Sequence, residues 1–119
     1  MSDAVKIEGL EAALRRVSPE RAAAETRRLL RRITLTVERK TKIRTPVRKA
    51  KRGGTLRRSI TSVVEGSRGI VGTNVNYARF VHEGTRRMQR RPFLRWGLED
   101  SRGDIAREVD DAARRIFEE

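Results

Sequence analysis

Residues 74–98 read NVNYARFVHEGTRRMQRRPFLRWGL and contain the only Tyr, the only Trp and the only His of the chain, with two of its three Phe. Tyr77, Phe80 and Val81 are spaced so that they share one face of a short helix. The side chain of Asn74 or Asn76 can accept hydrogen bonds from the free N–H groups at the start of such a helix. The stretch therefore predicts a short helix with an aromatic face.

Two residues of the same stretch mark where this helix ends and where the next one begins. Gly84 is expected to end it, because glycine adopts the left-handed conformation at little cost. Pro92 is expected to begin the following helix, where its missing N–H would be unpaired in any case. We predict that the aromatic side chains lie in the core or in a subunit interface. These are Tyr77, Phe80, Phe93 and Trp96.

Two long amphipathic helices are predicted. Ser18-Pro19-Glu20 combines a capping hydroxyl, a first-turn proline and an acid at the positive helix end, so the first helix runs from Pro19 to about Arg44. Its apolar stripe is formed by Ala22, Thr26, Leu29, Leu30, Ile33, Val37 and Thr41. The second helix runs from Pro92 to about Phe117. Its stripe is formed by Phe93, Leu94, Leu98, Ile105, Val109, Ala112 and Ile116.

A β-hairpin is predicted between the long helices. Residues 60–65 and 69–73 are β-type runs, and Gly66-Ser67-Arg68 joins them at hairpin length. The apolar side chains expected to face the first long helix are Val63, Ile70 and Val71.

The N-terminal region adds two short elements. Ala4–Ile7 alternates weakly and reads as a short strand, and the spacing from Leu10 to Val17 predicts a short amphipathic helix. The predicted fold class is therefore α+β, with two long helices and short helices packed on a small, mostly antiparallel β-sheet.

Composition bounds the class of protein. A length of 119 residues suits a single domain over residues 1–119. The absence of cysteine excludes disulfides and thiolate metal sites. Because the N-terminus has no apolar signal core and no apolar run reaches membrane-spanning length, we expect no membrane partner.

The charge is unevenly distributed. The sequence carries 29 Lys or Arg against 16 Asp or Glu, a net charge of +13. A strongly basic body attracts nucleic acid, acidic protein surfaces or anionic membranes. Residues 99–119 carry eight of the acids and four of the bases. We therefore expect this acidic helix to be able to pair with the basic face of a neighbouring copy.

Two basic loops are the candidate contact sites. The first is a flexible loop at about residues 45–56, and the second lies at about residues 85–92. From Arg39 to Arg58 the chain has ten Lys or Arg and no acid. The first loop could instead be a solubilising surface loop. The candidate contacts with DNA phosphates or an acidic partner are Arg48, Lys49, Lys51, Arg52, Arg57, Arg58, Arg86, Arg87, Arg90 and Arg91.

The sequence contains no constellation typical of catalysis or metal binding. A catalytic histidine needs an acid that orients it, and Glu83 is adjacent in sequence to His82, so the two side chains would point apart on a helix. Gly53-Gly54 lacks the Lys-Ser/Thr of a phosphate-binding loop. We therefore interpret His82 as a packing or interface residue and predict no enzymatic activity, no metal and no cofactor.

The ordered motifs resemble those of a known family. Tyr77-Ala78, Val81–Thr85 and Arg91–Arg95 are similar to the signature of small tail-completion or neck proteins of long-tailed bacteriophages. Pro46-Val47 and Gly54–Ile60 resemble the same family's upstream pattern, although the link between them is longer and more basic here. The resemblance implies the same α+β layout. It marks as motif residues of the core or an interface Tyr77, Phe80, Val81, His82, Glu83, Gly84, Thr85, Pro92, Phe93, Leu94 and Trp96.

This resemblance implies a structural virion protein at the neck or upper tail, assembled in the host bacterial cytoplasm. It would be a ring subunit of the head–tail connector that completes the tail and joins it to the head around the genome channel. The expected partners are copies of itself, the neighbouring head-connector and tail-tube or terminator proteins, and phage DNA through non-specific contacts. The alternative, carried by charge alone, is a small sequence-independent nucleic-acid-binding protein.

Overall fold

The computed structural model describes residues 8–47 and 54–118. In chain order, its elements are α1 (Glu8–Leu14), α2 (Pro19–Arg44), α3 (Thr55–Ser59), β1 (Thr61–Glu65), β2 (Arg68–Gly72), α4 (Ala78–Glu83) and α5 (Phe93–Phe117). The predicted α+β class is confirmed. The predicted strand at Ala4–Ile7 lies outside the described residues.

Helix α2 begins and ends where its local signals predict. The Ser18 hydroxyl accepts a hydrogen bond of 3.2 Å from the backbone N–H of Arg21. Pro19 occupies the first turn, where no N–H is needed. At the other end Thr45 has extended backbone angles, as expected for the residue before Pro46. The predicted bounds, Pro19 to Arg44, are confirmed.

Helices α2 and α5 pack against each other. Leu29, with the half-buried Ile33 and Val37, contacts a cluster that includes Ile105 and Val109 of α5. Helix α5 continues through Gly103 from Phe93 to Phe117, so the predicted second long helix is confirmed.

Three of the six acids of α5 form ion pairs with α2. Ion pairs join α5 to α2 at Asp100–Arg44 (3.6 Å), Asp104–Lys40 (3.7 Å) and Glu108–Arg32 (3.5 Å). Each is partly exposed and contributes no more than about 1 kcal/mol. These pairs leave fewer of the acids of α5 for the contact with a neighbouring copy, which stays a prediction.

The hairpin forms as predicted, but two of the three apolar side chains expected to face α2 point away from it. Val63 pairs with Ile70 across the strands, and both side chains are exposed. Side chains alternate along a strand, so the adjacent Ile70 and Val71 cannot both face α2. Half-buried Val71 lies on the covered face, together with Ser62, whose hydroxyl donates to Glu38. The prediction is wrong for Val63 and Ile70.

Two buried clusters lie toward opposite ends of α5. The larger joins α1, α2 and the C-terminal half of α5 through residues such as Ala13, Leu29 and Ala112. The smaller joins the start of α5 to α3 and α4, and is formed by Leu56, Ile60, Ala78 and Phe93. The described chain extends over 54 × 25 × 19 Å, so these clusters support two ends of an elongated molecule.

Candidate interaction groove

The flanks of the two predicted basic loops line one apolar groove, which we call the loop groove. Its volume is about 690 Å³. One loop contributes its two ends, and α4 with the second loop contributes the rest. The lining residues are Pro46, Val47, Gly54, Thr55, Leu56, Tyr77, Phe80, Val81, Met88, Gln89 and Arg91. The fold thus brings together two regions that are about thirty residues apart in sequence.

The aromatic residues divide between the core and this groove. Phe93 is completely buried, whereas Tyr77 is 43% and Phe80 54% exposed. Trp96 is half-buried, and the guanidinium carbon of Arg44 lies 4.8 Å from its ring centroid. Of the two alternatives that the sequence leaves open, core or interface, the exposed Tyr77 and Phe80 do not fit the core. Only the interface interpretation remains for them.

The composition of α4 explains why its rings stay exposed. Ala78 is its buried residue and contributes to the small cluster with Leu56 and Phe93. The face carrying Tyr77, Phe80 and half-buried Val81 lines the loop groove instead. A helix anchored through a small side chain lies close to its neighbours and leaves its large side chains to one side.

Of the two signals predicted for the ends of α4, an asparagine cap at its start and Gly84 at its end, only the second is observed. Neither asparagine caps it: the N-cap is Tyr77, without a side-chain hydrogen bond, and Ala78 N–H donates to the Val75 carbonyl in the preceding turn. Gly84 ends the helix as predicted, with φ of +79°. A Cβ there would lie 2.8 Å from the Arg90 backbone nitrogen, so glycine also permits the second loop to approach.

The second basic loop is held by its own backbone. Thr85 and Met88 exchange N–H···O=C bonds of 2.9 and 3.3 Å, and the Thr85 hydroxyl accepts from the Arg87 N–H. The Arg91 N–H donates to the Val81 carbonyl at 2.8 Å, which ties the loop to α4. All four arginines of the loop are exposed. They are Arg86, Arg87, Arg90 and Arg91.

The other predicted contact residues are placed less uniformly. Arg57 donates to the Thr45 carbonyl at 3.3 Å, so it braces the start of the first loop. Arg58 is exposed on α3. Four predicted contacts lie outside the described residues: Arg48, Lys49, Lys51 and Arg52.

The remaining motif residues are mainly structural. Pro92 is buried ahead of α5, and Leu94 packs against the small cluster. Glu83 forms an ion pair with Arg79 one turn earlier. Val47, Leu56 and Met88 line the groove but were absent from the predicted site. Met88 was the one sequence signal that could have indicated an apolar surface here, because it is a large apolar residue in a basic loop.

His82 packs against a core residue within its own chain, and its predicted role as a packing or interface residue stays a prediction. Its ring meets Phe93 edge-on, with centroids 5.5 Å apart. Burial lowers the pKa of His82, and the charges of Arg95 and Arg90 lower it further, while Glu83 opposes them. The neutral imidazole is thus favoured in the folded state.

This shift predicts a pH-dependent stability. The unfolded chain binds a proton near the ordinary histidine pKa of about 6.5, and the folded chain binds it at lower pH. The free energy of unfolding is therefore highest above that pH. It decreases as the pH is lowered, until the pH is below the pKa of the folded state. Chemical denaturation at several values between pH 5 and 8 should show this slope in the wild type and not in His82→Gln. An equal slope in both would contradict the assignment to His82.

Exposure of Phe80 predicts that its truncation leaves folding almost intact. Phe80→Ala should change the free energy of unfolding by less than about 1 kcal/mol, because the ring has few core contacts to lose. Thermal unfolding measures this. A large drop in the midpoint would show that the ring supports the core.

Within the described part of the chain, no group of His, Cys, Asp or Glu is arranged to hold a metal ion. Nor does a helix in residues 8–47 and 54–118 have the length and apolar character needed to cross a membrane.

Comparison with known families matches residues 8–84 to the HK97-gp10-like family, described as "Bacteriophage HK97-gp10, putative tail-component". The match runs from α1 through Gly84 and so includes the hairpin, α4 and much of the loop groove. No curated protein and no solved structure matches the chain. Because the matched segment covers more than half of the 119 residues, the chain belongs to the HK97-gp10-like family of bacteriophage tail components.

Proposed function

We propose that this tail component is a ring subunit of the head–tail connector, or neck, where it completes the tail and joins it to the head around the genome channel. The observation that carries the proposal is the family match over residues 8–84. The neck-protein motifs at Tyr77–Thr85 and Arg91–Arg95 support the position in the particle. The role is structural, and we assign no reaction to the chain.

The shape of the molecule supports a bridging role. The molecule is elongated, with extents of 54 × 25 × 19 Å, and the loop groove lies beside the cluster at the start of α5. An elongated subunit with a binding groove toward one end can contact a neighbouring protein there while its sides contact other copies. Repeated contacts of this kind close into a ring when the rotation between copies allows it.

The basic loops support a second set of contacts. Arg86, Arg87, Arg90 and Arg91 are exposed around one turn, and no acid lies in that loop. A ring multiplies each positive charge by its copy number, so contacts that are weak singly add up. Contacts with phosphates would be salt-dependent and independent of sequence, as suits a passage for a moving genome.

Deleting the gene from its phage tests the proposal. We expect DNA-filled heads and separate tails that fail to join, with joining restored by the wild-type gene. A variant with Arg86, Arg87, Arg90 and Arg91 changed to Gln should fold but restore joining poorly. The control for lost charge changes four exposed arginines outside the loop to Gln: Arg15, Arg27, Arg31 and Arg39. Normal titres and joined particles without the gene would refute a neck function.

One observation favours the nucleic-acid-binding alternative. Tyr77 and Phe80 are exposed near the loop arginines, and single-strand-binding proteins stack bases on such rings. If this were the function, the isolated chain would bind single-stranded DNA, and Phe80→Ala would weaken that binding. Fluorescence anisotropy with a labelled oligonucleotide distinguishes the cases. Sequence-independent binding that is insensitive to Phe80→Ala would reflect charge alone.

A further inference from the structure

The loop groove contains a cluster of exposed apolar side chains. Val47, Tyr77, Phe80 and Met88 are between 40% and 54% exposed, and all four line the same groove. Single exposed apolar residues are ordinary, but a cluster in a concave site marks a binding surface. An occupant must therefore present large apolar side chains.

The rim of the groove defines the charge of that occupant. Arg91 lines the groove itself, and Arg86, Arg87 and Arg90 are exposed in the same short loop. The nearest acid in sequence is Glu83, which already pairs with Arg79 at 3.6 Å. An occupant that carried positive charge would be repelled, whereas carboxylates flanking an apolar anchor would meet guanidinium groups.

A second copy of this chain is a poor source of such a segment. Three acids of α5 are paired with α2, as described above. Asp110 and Asp111 have no ion pair within residues 8–47 and 54–118, but Arg114 and Arg115 follow them one turn later. Phe117 is the exposed ring at that end and is followed by Glu118 and Glu119, but bases precede it at Arg114 and Arg115. The Arg16 guanidinium carbon also lies 4.9 Å from its ring centroid, so the ring does not have acids on both sides.

Double-stranded DNA matches the charge of the rim but not the apolar lining of the groove. Its phosphates would pair with the arginines, yet its stacked bases offer nothing to fill a cavity with aliphatic walls such as Pro46, Leu56 and Val81. The chemistry that matches both features is that of a polypeptide with acids on either side of a large apolar residue.

We infer that the loop groove binds an acidic segment of another protein, one in which Asp or Glu residues flank a leucine or an aromatic anchor. The anchor lies against Phe80, Tyr77 and Met88, and the flanking carboxylates accept hydrogen bonds from the loop arginines. This inference rests on the proposed function for its setting, since a neighbouring virion protein would supply the segment. It names the partner's chemistry, which the proposed function leaves open.

Binding of a designed peptide to the purified chain tests the inference. The probe is a short fluorescein-labelled peptide in which Asp and Glu surround a central Leu-Phe pair. One control peptide replaces Leu-Phe with Ser-Ser, and another replaces the acids with Asn and Gln. Fluorescence anisotropy should show salt-sensitive binding of the first peptide, and at least about tenfold weaker binding of each control.

Variants of the chain locate the binding site. Phe80→Ala should lower the affinity for the probe peptide about tenfold, because the apolar anchor of the peptide loses its main contact. Arg90→Gln/Arg91→Gln should weaken it and reduce its dependence on salt. Arg31→Gln/Arg39→Gln, which removes the same charge from α2, should bind like the wild type. Circular dichroism and thermal unfolding confirm that each variant is folded.

Three results would overturn the inference. Equal binding of the anchored and Ser-Ser peptides would show attraction by charge alone. Displacement of the probe by single-stranded DNA, in a Phe80-dependent manner, would assign the groove to nucleic acid. Self-association abolished by Phe80→Ala, without peptide binding, would assign it to a second copy. The assay needs no virus particle, so peptide binding without a defect in head–tail joining would refute the proposed function alone.

Discussion

Phe93→Ala is expected to lower the free energy of unfolding by about 3–5 kcal/mol, the range found when a fully buried phenylalanine is truncated. Phe93 is 0% exposed at the start of α5, in contact with the cluster formed by Leu56, Ile60 and Ala78. Its ring also meets His82. The loss would remove a large part of the stability of a typical domain, which is about 5–15 kcal/mol.

The other two phenylalanines are matched controls for this substitution. Phe80 is 54% and Phe117 is 46% exposed, so neither has comparable buried contacts to lose. Phe117 lies at the end of the same helix that Phe93 begins. Denaturant unfolding of the three alanine variants should single out Phe93. If all three variants lost the same free energy of unfolding, the buried contacts of Phe93 would not be the source of its effect on stability.

Gly97→Ala is expected to destabilise the packing of α5 on α2, although alanine is the better helix former. A Cβ at position 97 would lie 2.6 Å from Thr41 Cα and 2.7 Å from Thr41 Cβ. Backbone cannot move aside as a flexible side chain can, so the helices must separate. Overpacking of this kind costs about 1–3 kcal/mol, and the gain in helix propensity of about 1 kcal/mol offsets part of it.

Gly103→Ala provides the opposite expectation in the same helix. Apart from the neighbouring residues and backbone of its own helix, no atom would lie within 4 Å of the added Cβ, so only the propensity gain of about 1 kcal/mol remains. The difference between the two alanine variants isolates the close approach of α2 and α5, because the chemical change is identical. If both substitutions raised the unfolding midpoint equally, the tight contact at Gly97 would be refuted.

Local signals were sufficient to predict the long elements. Ser18, Pro19 and Pro46 act on the backbone around them, so the limits of α2 follow from sequence without knowledge of its neighbours. Gly84 and Pro92 act in the same way for the end of α4 and the start of α5. The hairpin likewise follows from turn residues between two β-type runs.

Burial depends on packing between distant segments and could not be predicted as well. Helical spacing gives Phe80 and Val81 one face, but it does not say whether that face meets the core or solvent. The outcome was decided by Ala78, which anchors α4 on Leu56 and Phe93. The pairing of Asp100, Asp104 and Glu108 with α2 required the antiparallel register of two helices far apart in sequence.

The candidate site was predicted in part. The exposed arginines of the second loop follow from a run of bases bounded by Gly84 and Pro92. The apolar groove beside them does not, because it joins Val47 and Leu56 to Met88 only in the folded chain. Its aromatic lining came from residues that the sequence placed in the core or in an interface.

The proposed neck function depends above all on the position of this protein in the virion. Electron microscopy of phage particles labelled with Fab fragments raised against the chain would show where it lies. For a neck subunit, label is expected only at the junction between head and tail, with averaged images showing a ring around the channel. Label along the tail tube, at the distal tip of the tail, or on no part of the mature particle would contradict the proposed neck function.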